Sequence, residues 1–393
     1  MQSQILKFYK SCDSDIFFVT ISERLVDIAS FFLYDVTTSI MEIALIVGVR
    51  PEFIQATPLL RELNQLCEPT LIHTGQHYDY EMNKIFFNDL NIPEPQYHLN
   101  VGSGSHSHQT GDLLKKIEGV LLDEHPDVVL VFGDTNSTLA GALCATKLQI
   151  KVGHIESGMR SFDKSMPEEI NRIITDHCSS LLFCSTKTAV GNLEREGITK
   201  NVFLTGDVMV DSLKFNKEIA ENQSNILKAL KLKSKKYLVA TVHRASNTDN
   251  KTNLENIVDA LCDVDEEIVF PVHPRTEKSL IEYSLIDKLK TSLKLVKPLG
   301  YLDFLKLMNN AKKIITDSGG IQKEAYILKV PCITLRENTE WIETVEDGWN
   351  VLTGANRLKI INTIHELNPK TEPRNVFGNN ASKRMAELIS IHH

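Results

Sequence analysis

The sequence predicts an α/β protein built from two Rossmann-like, doubly wound halves. Three observations carry that expectation. Short β-branched runs alternate with helical patterns from Ile43 to Cys184, and the same alternation resumes from Tyr237 to Leu335. Between them the pattern lapses, ending in the charged, weakly apolar stretch KLKSKK at 231–236. Finally, the residues able to do chemistry fall just after the strands, where open α/β sheets bind their ligands.

In the first half, Ile43–Val47, Thr70–His73, Val128–Val131, Lys151–His154 and Leu181–Cys184 read as strands. Leu59–Leu66, Gly111–Leu122 and Thr138–Lys147 place apolar residues at three- and four-residue spacings and read as helices. In the second half the strands are Tyr237–Val242, Ile268–Val272, Leu293–Val296, Lys313–Thr316 and Cys332–Leu335. Strands and helices of these lengths in alternation give right-handed βαβ units and parallel sheets. The boundary is expected near residue 212, with domains at 41–212 and 213–372.

The chain has 393 residues, room for two domains at roughly 100–200 residues each. Lys and Arg total 43 against 51 Asp and Glu, a net charge of −8. That balance argues against a nucleic-acid partner, whose phosphates want a basic face. The seven cysteines are scattered without a CxxC pair, so neither a zinc knuckle nor a redox dithiol is signalled. The apolar run from Ile16 to Tyr34 carries Glu23, Arg24 and Asp27 in its middle, and charges at that depth disfavour a membrane span. It also lacks a basic leader and a small-residue cleavage site. Residues 1–40 are therefore expected to be an extension ahead of a functional start at Met41, and the protein to be cytoplasmic.

Gly48 to Phe53, GVRPEF, follows the first strand. Glycine permits the turn, Arg50 can face an anion, and Pro51 suits the first helical turn. HTGQHYD at 73–79 has two histidines four apart, but Gly75 between them argues for a loop, and no third ligand accompanies them. No metal is expected. GDTNST (133–138), HIESGMRSFD (154–163) and MPEEINR (166–172) then bring Asp134, Glu156, Glu168 and Glu169 together with Arg160 and Arg172. Asp134 can simply cap the following helix, Glu156 can pair with Arg160, and Glu168 can favour its own helix start. Acids and cations at the same end of successive strands point instead to acid/base chemistry on an anionic substrate.

In the second half, His243 in TVHRASN and His273 in VHPRT each leave a strand end beside an arginine. TDSGGIQKEA (316–325) supplies a Ser-Gly-Gly turn opening a helix, with Glu324 one turn in. Backbone N–H groups at such a turn cradle a diphosphate, and a carboxylate there suits ribose hydroxyls. No Walker pattern occurs, which demotes ATP hydrolysis.

Taken together, GVRPE, HTGQH, GDTNST, HIESGMRS, MPEEINR, VHRASN, HPRT and TDSGGIQKEA, in this order between residues 43 and about 354, resemble the non-hydrolysing UDP-N-acetylglucosamine 2-epimerases. The resemblance implies a glycosyltransferase-B-type pair of domains with a nucleotide-sugar cleft between them. A C-terminal helix, supplied by Ala381–Ile391 within about 373–393, would cross back to the first domain. It also implies a homodimer, no organic cofactor, and interconversion of UDP-N-acetylglucosamine with UDP-N-acetylmannosamine. The route would eliminate UDP to a 2-acetamidoglucal and re-add it with C2 inverted. Carried over by motif, Asp134, Glu156 and Glu168 are the acid/base candidates, with Arg172 and His243 supporting charge at the reaction centre. Arg50, Ser318, Gly319, Gly320 and Glu324 would contact UDP, with Phe304 and the backbone near Leu299 at the uracil.

Two departures from the family pattern stand out. Gln55 replaces a lysine common five residues after the first arginine, and Thr339–Glu343 reads TEWIE where TERPE is usual. Each removes a cation. The TEW form resembles relatives acting on UDP-2,3-diacetamido-glucuronic acid, which is the alternative substrate. A hydrolysing epimerase, a glycosyltransferase and a catalytically dead nucleotide-sugar sensor are the other rival functions.

Overall fold

The computed structural model describes residues 41–76 and 92–392. The expected extension 1–40 and the His77–Asp79 part of the histidine motif lie outside the described residues. Among the described residues the strands form two sheets. The first contains β1 (Ile43–Val47), β2 (Thr70–His73), β3 (Tyr97–His98), β4 (Val128–Phe132), β5 (Lys151–Ile155), β6 (Leu181–Cys184) and β7 (Val202–Leu204), in the order β3-β2-β1-β4-β5-β6-β7. The second contains β8 (Leu238–Thr241), β9 (Ile268–Pro271), β10 (Lys294–Val296), β11 (Lys313–Thr316), β12 (Cys332–Thr334) and β13 (Asn350–Leu352), in the order β10-β9-β8-β11-β12-β13. Neighbouring strands are parallel, as in the pairs Ile46↔Val131 and Ile315↔Ala240.

The central strands are near-continuous apolar runs because helices cover both faces. IALIV in β1 and VVLVF in β4 are buried at every position. One core gathers Ile46 and Val131 with Leu113 and Ile117 of the helix His106–Glu124. Another gathers Phe270 and Ile315 with Leu254 and Ile257 of the helix Lys251–Cys262. Truncating one of these leucines to alanine costs about 2–5 kcal/mol, the transfer energy plus the cavity left behind.

The helix expected over Leu59–Leu66 runs instead from Arg50 to Leu63. Pro58 inside it conceals the earlier turns from a periodicity reading, while Pro51 fits its first turn. Strands β3, β7 and β13 have no counterpart in the sequence reading. They are two or three residues long and lie at sheet edges, too short to show a period. Residue 212 falls inside the helix Val208–Gln223, which packs on the helices Arg50–Leu63 and Tyr301–Asn309. The C-terminal helix Ala381–His392 packs on Arg50–Leu63 and Val208–Gln223. Asp211 accepts from the Ser382 N–H at 2.9 Å and its hydroxyl at 2.7 Å. No described helix is long and apolar enough to cross a membrane.

Candidate active site

In each sheet the strand order reverses at one point, between β1 and β4 and between β8 and β11. The crevice at such a point is where doubly wound sheets bind ligands, and the motif residues emerge there. Gly48 ends β1 against the start of the helix Asn136–Lys147. A Cβ on it would collide with the Ser137 hydroxyl and lie 2.7 Å from Thr74 Oγ1. Glu52 ties the two turns together: it accepts from Gly48 N–H at 2.5 Å and from Thr135 Oγ at 2.7 Å. Gln76 accepts from both the N–H and the hydroxyl of Ser137. His73 packs edge-on to Phe53 with ring centroids 5.0 Å apart, and burial lowers its pKa to about 4. These residues of the GVRPEF and HTGQ motifs hold the rim in shape.

Asp134 follows β4 and pairs with Arg172, whose Nε also donates to Glu169 at 3.0 Å. Burial pushes the Asp134 carboxyl up to about 6. Arg172 opposes that rise, while Glu168, Glu156 and Glu340 add to it. The helix after Asp134 is capped by Thr135, which accepts from Thr138 N–H. The simple capping role for Asp134 is therefore not the one it has.

Glu156, just after β5, has φ 72°, a left-handed conformation that costs a non-glycine residue energy and persists only when its surroundings hold it. The backbone on either side is pinned, Gly133 N–H donating to Ile155 O at 3.0 Å and Ser157 N–H to Phe183 O at 3.1 Å, while the carboxylate itself accepts from Lys323 and Gln55. Burial pushes the Glu156 carboxyl up, but Lys323 and Gln55 outweigh it, and the net shift is downward. Arg160 does not pair with Glu156. It binds Asp176 and Glu196, each at 2.7 Å.

Across from this rim, Glu168 in the first turn of the helix Pro167–Cys178 pairs with Arg244 at 3.2 Å. Asp317, fully buried at the end of β11, accepts from the backbone N–H of His243 and Arg244 and from Asn247 Nδ2, at 3.0–3.1 Å. This seats the His243 ring, whose Nδ1 lies 3.4 Å from Asp317. Burial lowers the His243 pKa, Asp317 opposes this, and Arg244, His273 and Arg275 reinforce it. Ser318 occupies the N-cap position of the helix Gly319–Ile327 without a side-chain capping bond, and Gly319 and Gly320 lie in its first turn. Glu324, further along, is buried and pushed up to about 7 by desolvation against the pull of Lys323. Leu299 lies in the loop after β10, and Phe304 in the helix Tyr301–Asn309. Arg50 opens the helix after β1.

A cleft of about 720 Å³ lies between the two sheets' rims. Arg244, Arg275 and Arg336 line it together with His243, Asp163, Glu168 and Glu337, and the three arginines pair with Glu168, Asp249 and Glu340 respectively. Asp134, Glu156 and Arg172 are not lining residues of that cleft, although Asp134, Glu156 and Glu168 interact electrostatically. Among the described residues no group of His, Cys, Asp and Glu is arranged to hold a metal ion.

The profile of the family described as UDP-N-acetylglucosamine 2-epimerase matches residues 61–390. The chain belongs to this epimerase family. It is 56% identical over 354 residues to a UDP-N-acetylglucosamine 2-epimerase homolog of Methanococcus maripaludis, covering 89% of this chain and 99% of that one. The crystal structure of the Methanocaldococcus jannaschii UDP-GlcNAc 2-epimerase in complex with UDP-GlcNAc and UDP superposes with a TM-score of 0.84 at 49% identity, covering 89% of this chain and all of that one. The UDP-2,3-diacetamido-2,3-dideoxy-D-glucuronate 2-epimerase of Pseudomonas aeruginosa is 42% identical, covering 89% of this chain and 99% of the relative. The protein is an isomerase of glycosyltransferase-B-type architecture.

Sequence reasoning did not single out Glu52, Asp317 or Lys323, though each sits inside a quoted motif. Asp317 has a sequence signal, a carboxylate immediately after a strand run. Lys323 has a weaker one, a lysine one turn past Gly319 on a helix otherwise poor in charge.

Proposed function

We propose that this epimerase interconverts UDP-N-acetylglucosamine and UDP-N-acetylmannosamine by eliminating and re-adding UDP. The observation that carries this reading is the convergence of Asp134, Glu156 and Glu168 with Arg172, opposite a half that offers His243, Arg244 and the Ser318–Gly320 turn. One carboxylate takes the C2 proton. The electron pair of that C–H bond forms the C1=C2 double bond, and the C1–O bond breaks with its pair leaving on UDP. In re-addition a second carboxyl group delivers a proton to the opposite face of C2, the double-bond pair forming the new C–H bond, and the UDP oxygen rejoins C1 on the face it left. Two carboxyl groups with pKa values pushed apart suit these two tasks. Glu156, kept ionised, suits proton removal, and Asp134, at about 6, suits proton delivery. The roles exchange in the reverse reaction.

Negative charge growing on the departing diphosphate is met by Arg172, His243, Arg50 and the N–H groups of Ser318, Gly319 and Gly320. Glu324 takes the ribose hydroxyls, and Phe304 with the backbone at Leu299 takes the uracil. The corresponding partition is 41–212, joined by the C-terminal helix, and 213–372. By the same reading the enzyme is a cytoplasmic homodimer serving polysaccharide biosynthesis.

The N-acetylglucosamine substrate is favoured over the diacetamido-uronate by the higher identities, 56% and 49% against 42%. The test is NMR of the purified enzyme in D2O with each sugar nucleotide. UDP-N-acetylglucosamine should acquire deuterium at C2 and equilibrate with its C2 epimer. Exchange confined to the uronate reassigns the substrate, and free N-acetylmannosamine reassigns the reaction to a hydrolysing epimerase.

A further inference from the structure

Lys323 stands on the helix Gly319–Ile327 of the second half, yet its ammonium ends among first-half residues. It donates to Glu156 and, at 2.7 Å, to Asp207 Oδ2. Its Nζ also lies 4.5 Å from the centroid of the Trp341 ring, which is braced by Phe377 at 5.5 Å. The side chain is 2% exposed. An ammonium has three N–H donors. Two carboxylates and one ring face occupy its surroundings, so nothing is left to grasp a substrate phosphate.

We propose that Lys323 is a positioning residue that holds the Glu156 carboxylate in its working place by reaching across from the diphosphate-binding helix. The inference rests on the epimerase reading and deepens it. Main-chain bonds beside Glu156 hold its left-handed backbone, so the place of its carboxylate is left to its side-chain partners, of which Lys323 is the one directly bonded cation. Trp341 and Lys323 also act together. The TEWIE sequence lacks the cation usual at 341, and the tryptophan there floors a cation supplied from 323. The groups bearing on the Glu156 carboxyl are Lys323, Asp207, His154 and Asp134, with Gln55 as hydrogen-bond donor. Without Lys323, the fully buried Asp207 and the largely buried Glu156 are left beside each other as like charges, which favours a proton on one of them.

The test uses Lys323→Met, which keeps the packing on Trp341, Lys323→Arg, and Asp207→Asn, which retains a good helix cap. Carboxyl-¹³C titration of Glu156 in the full chain is read beside C2 deuterium exchange and UDP binding. In Lys323→Met the Glu156 titration should move to higher pH by at least one unit. Exchange at pH 7 should fall at least tenfold, with UDP affinity within threefold of wild type. Lys323→Arg should restore both. Asp207→Asn should move the titration the opposite way, because it removes a like charge and leaves Lys323 to Glu156. A Glu156 titration unmoved in Lys323→Met, or moved upward in Asp207→Asn, overturns the proposal. If Lys323→Met does not fold, the sign of the Asp207→Asn shift decides. If the wild type exchanges neither sugar, the function reading falls, and the titrations still decide the role of Lys323.

Discussion

Arg172 binds two carboxylates through different nitrogens: Nη1 donates to Asp134, while Nε and Nη2 hold Glu169 at 3.0 and 2.9 Å. Glu169 in turn accepts from the N–H groups of Ser161 and Phe162. The guanidinium is thus fixed on one side and presented to Asp134 on the other. It opposes burial and three neighbouring acids, and the balance leaves the Asp134 carboxyl at about 6.

Replacing Arg172 by Met removes that opposing cation, so Asp134 should titrate above its wild-type value near 6. Carboxyl-¹³C titration checks the direction. C2 exchange should fall by roughly 10²-fold or more, the scale for losing a group that stabilises developing charge. An unmoved Asp134 titration would separate Arg172 from this carboxyl.

Glu156→Gln and Glu168→Gln keep size and much of the hydrogen bonding but lose the titrating carboxylate. Turnover should drop by roughly 10²–10⁴-fold with UDP affinity nearly unchanged. Single-turnover C2 exchange and calorimetric UDP binding measure the two quantities. A lower melting temperature with modest kinetic loss would mark either residue as structural. Near wild-type exchange in both variants would shift the acid/base work to Asp134.

Glu324 makes a prediction about stability. Its carboxyl is raised from 4.5 to about 7, chiefly by burial. Between those values the folded chain holds a proton that the unfolded chain has released. The stabilisation this gives is complete below about 4.5 and is lost as pH rises through about 7. Glu324→Gln abolishes that loss. The variant should be more stable than wild type at pH 8, by on the order of 2 kcal/mol, with the gap closing toward pH 4. Its UDP affinity should be weaker. Urea unfolding at both pH values and UDP calorimetry check this.

The diphosphate reading assigns its counter-charges to Arg50, Arg172, His243 and backbone N–H groups. Exhaustive chelation should therefore leave turnover intact. Loss of activity with EDTA, restored by Mg²⁺ or Mn²⁺, would replace those side chains with a metal as the main counter-charge.

The architecture was legible because its signals are local. A buried parallel strand must be an apolar run such as IALIV or VVLVF, and the turn after it must carry whatever the crevice needs. Asp134, Glu156 and His243 could therefore be placed at strand ends from their neighbours alone. The short edge strands Tyr97–His98, Val202–Leu204 and Asn350–Leu352 were not legible, because pairing with an existing sheet, rather than their own sequence, makes them strands.

By itself, then, the sequence determined two doubly wound halves, the rim on which the chemistry sits, and the family. Only the tertiary structure decided which charges meet. Arg160 and Glu156, four apart, take different partners, while Lys323 and Glu156, 167 positions apart, are joined. The physical reason is that a buried charge must be paired wherever the packed halves bring an opposite one, and that meeting depends on long-range contacts no local pattern encodes.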